Sequence, residues 1–146
     1  MAEVSRRDPG LALQIAAWPE SVQPVDAALA RSGLARLTLS PGRWLLVADV
    51  PVVAPALPAD AAKVIDLTHA RVVVEVSGTD AAMVLRKGIG FDPQGPCFPP
   101  GSAAATQIHG MGVLVHRKAA DAFDLYVSAS FAQAMEDWLR DAAVGS

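Results

Sequence analysis

This chain of 146 residues has little cysteine, little charge and no long apolar run. Its single Cys97 excludes an intramolecular disulfide and a thiolate zinc cage. Cys97 stands between Pro96 and Phe98 with no base nearby in sequence, which reads as a structural thiol. Lysine and arginine together number 12 against 15 acidic residues, and no block of like charge occurs. A basic footprint for nucleic acid is thereby excluded. No segment stays apolar for the roughly 18 residues that a membrane span requires. The opening MAEVSRRDPG lacks the apolar core of a signal peptide, so a cytoplasmic protein is expected.

Catalytic signatures are missing as well. There is no Walker lysine motif and no nucleophile elbow. Gly88-Ile89-Gly90-Phe91-Asp92-Pro93 has the look of a dinucleotide loop, but it lacks the third glycine and follows a helical pattern where it should open one. The only histidines are His69, His109 and His116. His109 and His116 fall on neighbouring strand patterns, with no local carboxylate or thiol to complete a metal ligand set. His69 ends the Asp66-Leu67-Thr68-His69 turn, where side chain to backbone bonds explain such residues. Asp121 and Asp124 lie close to Lys118 and read as solvated turn charges.

What the chain does have is apolar content: 52% apolar against 18% charged residues, below the roughly 25% charge of ordinary globular chains. Either apolar surface remains exposed for a partner, or the composition is simply rich in alanine and valine.

The order of elements argues for an α+β fold with helices on an antiparallel-rich sheet. We expect a single compact domain over residues 1–146, made of two similar β-α-β-β-like halves, 1–63 and 64–146. In the first half Leu11 to Ala17 alternates like a strand. A helix follows, with Gln23 near its N-cap, Pro24 in its first turn and Gly33 past its end; Val25, Ala28 and Leu29 share one face. Strands are expected at Leu34 to Leu39 and Trp44 to Asp49, joined by the turn Ser40-Pro41-Gly42. Pro51, Pro55 and Pro58 rule out a long helix between residues 51 and 63.

The second half opens with a strand at Val64 to Leu67, then a second in which Val72, Val74 and Val76 alternate with Val73, Glu75 and Ser77. Thr79 is the expected N-cap of the next helix, with Asp80 favourable to its dipole and Ala81, Val84, Leu85 and Gly88 on one face. After a Pro- and Gly-rich loop from Gly90 to Ser102 come strands at Ala104 to His109, Gly112 to Arg117 and Phe123 to Val127. Ser130 and Gln133 fit a capping box, and Phe131, Ala134, Met135, Trp138, Leu139 and Ala142 form an apolar stripe at helical spacing. That stripe reads as core.

The ordered series VIDLTHARVVVEVSGTDAAMVLRKG, FDPQGPCFPPGS and VLVHRKAADAFDLYVSASFAQAMEDWL, spanning Val64 to Leu139, resembles the γ subunit family of heterotetrameric sarcosine oxidase. That family is distantly related to the folate-binding aminomethyltransferases. Pro41-Gly42-Arg43-Trp44-Leu45-Leu46-Val47 is similar to its tryptophan strand, whereas the proline-rich stretch after Val50 departs from it, since relatives carry a helix there. The resemblance implies an aminomethyltransferase folate-binding-domain-like fold. It also implies an accessory role in a complex that oxidatively demethylates sarcosine or a related N-methyl amino acid. The one-carbon unit would pass to tetrahydrofolate and electrons to oxygen. FAD, FMN, NAD, tetrahydrofolate and zinc would reside on partner subunits, the large subunit being the main contact, and this chain would have no catalytic site and bind no cofactor or metal.

Asp92 is the one catalytic candidate, because an acidic residue follows the corresponding helix in the folate enzymes; Asp before Pro93 is equally a routine turn initiator. Phe91, Phe98, Pro99 and Pro100 are candidate interface residues, rigid apolar groups that lose little entropy on docking. The alternative functions are a stand-alone folate-binding protein and a small self-associating domain.

Overall fold

The computed structural model describes residues 2–145. The chain divides into two compact units: Pro9–His69, and residues 2–8 together with 70–145. These bounds differ from the halves expected at 63/64, for reasons that lie in strand pairing.

The unit Pro9–His69 is a four-stranded antiparallel sheet carrying one helix. Its strands are β2 (Leu11–Ala17), β3 (Ala35–Ser40), β4 (Arg43–Ala48) and β5 (Ala62–Asp66), in the order β3-β4-β2-β5. The strand expected at Val64 to Leu67 belongs to this unit and not to the second half, because β5 pairs with β2, Ile15 opposite Val64. Helix α1 (Val22–Arg31) begins one residue before Gln23, with Ser21 at its N-cap after a 3₁₀ turn at Pro19–Ser21, and Gly33 lies two residues beyond it. Val25 and Leu29 pack with Leu11, Leu13, Ile15, Trp44 and Leu46 into one core. The period-2 residues of β2 thus meet the 3.6-period residues of α1. Residues 49–60 form no helix and no strand, as the three prolines dictate.

The other unit is a five-stranded antiparallel sheet with two helices. Its strands are β1 (Glu3–Arg7), β6 (Arg71–Ser77), β7 (Ala103–Ile108), β8 (Met111–Ala119) and β9 (Ala122–Ser128), in the order β1-β6-β9-β8-β7. Strand β1 is not legible in the sequence: EVSRR has one apolar residue, Val4, which packs into the core, and the strand is held by its long-range ladder with β6. Phe123, Leu125 and Val127 alternate on β9 and bury against helices α2 (Ala81–Arg86) and α3 (Ala132–Val144). Burying each such side chain contributes about 1.5–3 kcal/mol. Between β7 and β8 the chain reverses in two residues. His109 and Gly110 both take positive φ, 50° and 79°, as the tight hairpin turn requires. His109 is therefore a turn residue, not a strand residue.

Both helix starts differ from expectation. Asp80, not Thr79, occupies the N-cap of α2, and neither helix has a side-chain cap bond. A 3₁₀ turn at Ala129–Phe131 precedes α3, so Ser130 pairs instead with the Ser128 hydroxyl at 3.1 Å and Gln133 donates to Asp137 at 2.9 Å. The extra turn also rotates the apolar stripe: Ala132, Met135, Leu139 and Ala143 are buried, Trp138 and Ala142 pack at the margin, and Phe131 is 44% exposed. Among the described residues no helix is long and apolar enough to cross a membrane.

Candidate functional site

The loop from Gly90 to Ser102 is irregular yet strongly tied. Successive turn bonds run from the Gly95 amide to the Asp92 carbonyl, from Phe98 to Gly95 and from Ser102 to Pro99, at 3.0–3.1 Å. Arg117 on β8 clamps its far end. One Nη donates to the Phe98 carbonyl at 2.8 Å and the other to the Ala120 carbonyl at 3.1 Å, while the guanidinium lies 6.0 Å from the Phe123 ring centre. Nothing in the sequence singles out Arg117, because its partners are backbone carbonyls, which carry no side-chain signature.

Phe91 and Phe98 pack ring to ring, centroids 5.0 Å apart at 56°. This tilted arrangement suits the quadrupoles of two aromatic rings. Phe98 is only 7% exposed and belongs to the core, whereas Phe91 is half-buried and Pro99 and Pro100 are exposed. Of the four interface candidates, Phe98 thus presents little surface, because Arg117 pulls the backbone at that residue onto the sheet. Beside the ring pair is an open, mostly apolar cavity of about 430 Å³, walled by Phe91, Phe98, Pro96 and Ala104, with Asp92 and Cys97 at its edge. Cys97 is exposed.

Asp92 is held rather than poised. Its Oδ1 accepts from Arg86 Nε at 3.1 Å, Arg86 Nη2 at 2.7 Å and the Gln94 amide at 2.9 Å. The Arg86 bond first, then the Gln94 amide, holds its carboxyl below the ordinary value of 3.8. Such a group is a weaker proton acceptor, and the bond two residues on is that of a turn initiator. In the other unit, Asp66 does the same for its turn, accepting from the Thr68 amide at 2.9 Å while Thr68 Oγ1 takes the Ala12 amide at 3.0 Å. The two bonds from Thr68, side chain before backbone, lower the Asp66 carboxyl too. The structural reading of the Asp66–His69 turn fits this geometry.

One expectation is overturned. Asp124, read as a solvated turn charge, is 1% exposed in the middle of β9. It accepts from Arg7 Nη2 at 2.6 Å and lies 3.5 Å from Lys118 Nζ. Glu75, directly opposite in the ladder, meets the same two cations at 3.8 and 3.3 Å. Two acids and two bases thus form one network that crosses β1, β6, β8 and β9. A charge set inside the apolar alternation Phe123 to Val127 was the available signal. His116 faces Asp124 across the ladder, and His109 lies in the hairpin turn. Among the described residues no group of three or more His, Cys, Asp or Glu is placed to hold a metal ion.

With that geometry in place, comparison with known proteins is specific. Residues 6–145 match the model of the "Sarcosine oxidase, gamma subunit family". The sarcosine oxidase subunit gamma of Corynebacterium sp. strain U-96 is 32% identical over 116 residues, 76% of this chain and 57% of its own. That of an Arthrobacter species is 31% identical over 122 residues, 80% of this chain and 60% of its own. The chain thus spans somewhat over half the length of these curated relatives. A chain of the heterotetrameric sarcosine oxidase of Corynebacterium sp. U-96, solved with pyrrole 2-carboxylate, superposes with a TM-score of 0.82 at 26% identity, covering 97% of this chain and 83% of that one. Aminomethyltransferase T of the glycine cleavage system from Bartonella henselae gives 0.62 at 19% identity, over 94% and 45%. This second likeness is one of fold.

Proposed function

The chain belongs to the sarcosine oxidase γ subunit family, and on that footing we propose that it is a cytoplasmic accessory subunit of a sarcosine oxidase-like heterotetramer. The assembly would oxidatively demethylate sarcosine or a related N-methyl amino acid. This chain contributes structure and contact surface, while FAD, FMN, NAD, tetrahydrofolate and zinc are bound by partner subunits, the large one being its main neighbour. The observation that carries the reading is the match, over 97% of the chain, to a chain of a heterotetrameric sarcosine oxidase. The site chemistry agrees with it: Asp92 is engaged in a turn, and the buried Asp124 is neutralised within its sheet. Exposed apolar residues, among them Trp18, Val53, Ile65 and Phe131, are of the kind that partner contacts cover.

Co-expression with the flavin-bearing subunits of the same host tests the proposal. The tagged chain is expected to retain those subunits through gel filtration, and the complex to lose stability when this chain is omitted. Oxidase turnover by this chain alone, or a stoichiometric flavin bound to it, would overturn the proposal.

A further inference from the structure

Of the edge strands in the two sheets, three carry features that deter pairing with another chain. Strand β1 holds Glu3, Arg6 and Arg7; β3 holds Arg36 and a bulge between Thr38 and Ser40; β5 holds Lys63 and Asp66. Charges and bulges are the ordinary guards of a strand edge. Strand β7, Ala-Ala-Ala-Thr-Gln-Ile, has no charge, no proline and no bulge in its register with β8.

The register fixes which backbone groups are outward. Ile108 and Met111 flank a two-residue turn, and the Arg117 amide bonds the Ser102 carbonyl at 2.9 Å. Alternation along an antiparallel pair then turns Ser102, Ala104, Thr106 and Ile108 toward β8, and Ala103, Ala105 and Gln107 away from it. No hydrogen bond among the described residues engages the backbone of those three outside the ladder. On the face shared with the core, Ala104 borders the cavity walled by Phe91 and Phe98.

We infer that β7 is a strand-addition edge, completed by an extended segment of a different subunit that sets an uncharged apolar side chain into the Phe91–Phe98–Ala104 cavity. Pairing through main-chain bonds with alternate side chains in pockets is a recurring mode of peptide recognition. The occupant is a different chain for a steric reason. The β7 of a second copy would offer that face only Ala104, Thr106 and Ile108. Ile108 is already fully buried in its own core, so the cavity would stay empty. It is uncharged because Asp92, the acid at the rim, is already paired with Arg86. The inference rests on the reading of the chain as a subunit.

The test uses the co-expressed partner subunits as the probe. Ala105→Pro removes an outward amide and no bond to β8, so the fold is expected to hold at an unchanged thermal midpoint. Capture of the partners should fall tenfold or more. Equal capture by parent and variant overturns the inference and leaves the subunit reading standing, whereas a parent chain that captures nothing removes both. Hydrogen exchange on the parent decides the matter even if the proline variant misfolds. The amides of Ala103, Ala105 and Gln107 should exchange freely in the isolated chain and become protected in the complex. Unchanged exchange in the complex overturns the inference. So does protection that appears with rising concentration of the isolated chain, which would assign the edge to self-pairing.

Discussion

Arg7 and Asp124 stand 117 positions apart and meet at 2.6 Å, a cation from the first strand on a carboxylate buried in the ninth. Arg7→Met takes the 2.6 Å bond from that buried acid and leaves Lys118 at 3.5 Å. An acceptor deprived of its partner in such a place costs roughly 1–3 kcal/mol. Urea denaturation should show that loss, and Arg7→Met with Lys118→Met together should cost more than the sum of the two, because both serve one carboxylate.

Asp92 predicts a pH effect with a definite sign. Its folded carboxyl is held below 3.8 by Arg86 and then by the Gln94 amide. Its contribution to stability is therefore fully present above the unfolded value and is lost as pH falls through the lowered folded value. An NMR titration should find its midpoint below 3.8 in the parent and higher in Arg86→Gln. A midpoint that does not move would show that the ion pair is absent in solution.

Gly88 is required for close approach. A Cβ at this position would lie 2.6 Å from Trp138 Cη2 and 3.0 Å from Ile108 Cγ2. Gly88→Ala should cost roughly 1–3 kcal/mol as an overpacked site. Trp138→Leu in the same chain should recover part of it by making room, a coupling readable in a double-mutant cycle.

Phe98→Ala should destabilise by about 3–5 kcal/mol, as the loss of a large core side chain does, and Phe98→Asp should fail to fold. Pro100→Ser, at an exposed position, should leave the folding stability within about 0.5 kcal/mol of the parent's. Circular dichroism melts separate these outcomes. If Phe98→Asp melts like the parent, Phe98 is not core.

Much of the fold was legible because the periods were clean. Leu11 to Ala17 is a strand from end to end, and Val25, Ala28 and Leu29 face the core of their unit as their spacing requires. What stayed hidden depended on long-range pairing. Strand β1 and the burial of Asp124 are each explained by the other, through Arg7, and neither is visible to a window of ten residues. The capping box at Ser130 failed for a local reason, since a 3₁₀ turn took the place of the first helical turn. Phe98 read as a loop residue among prolines; its burial comes from Arg117, nineteen positions downstream, binding its carbonyl.

The pairing of β1 with β6 bears on how the chain is made. Arg7 leaves the ribosome first, but its ladder partner Val73 is synthesised 66 residues later. At about 5–20 residues per second that is a wait of roughly 3–13 s. During this interval the whole stretch Pro9–His69 emerges with all the strands of its own sheet. Strand β1 spends the interval without its ladder partner, and Arg6 and Arg7 give the segment the kind of charge that guards an open strand edge against other chains.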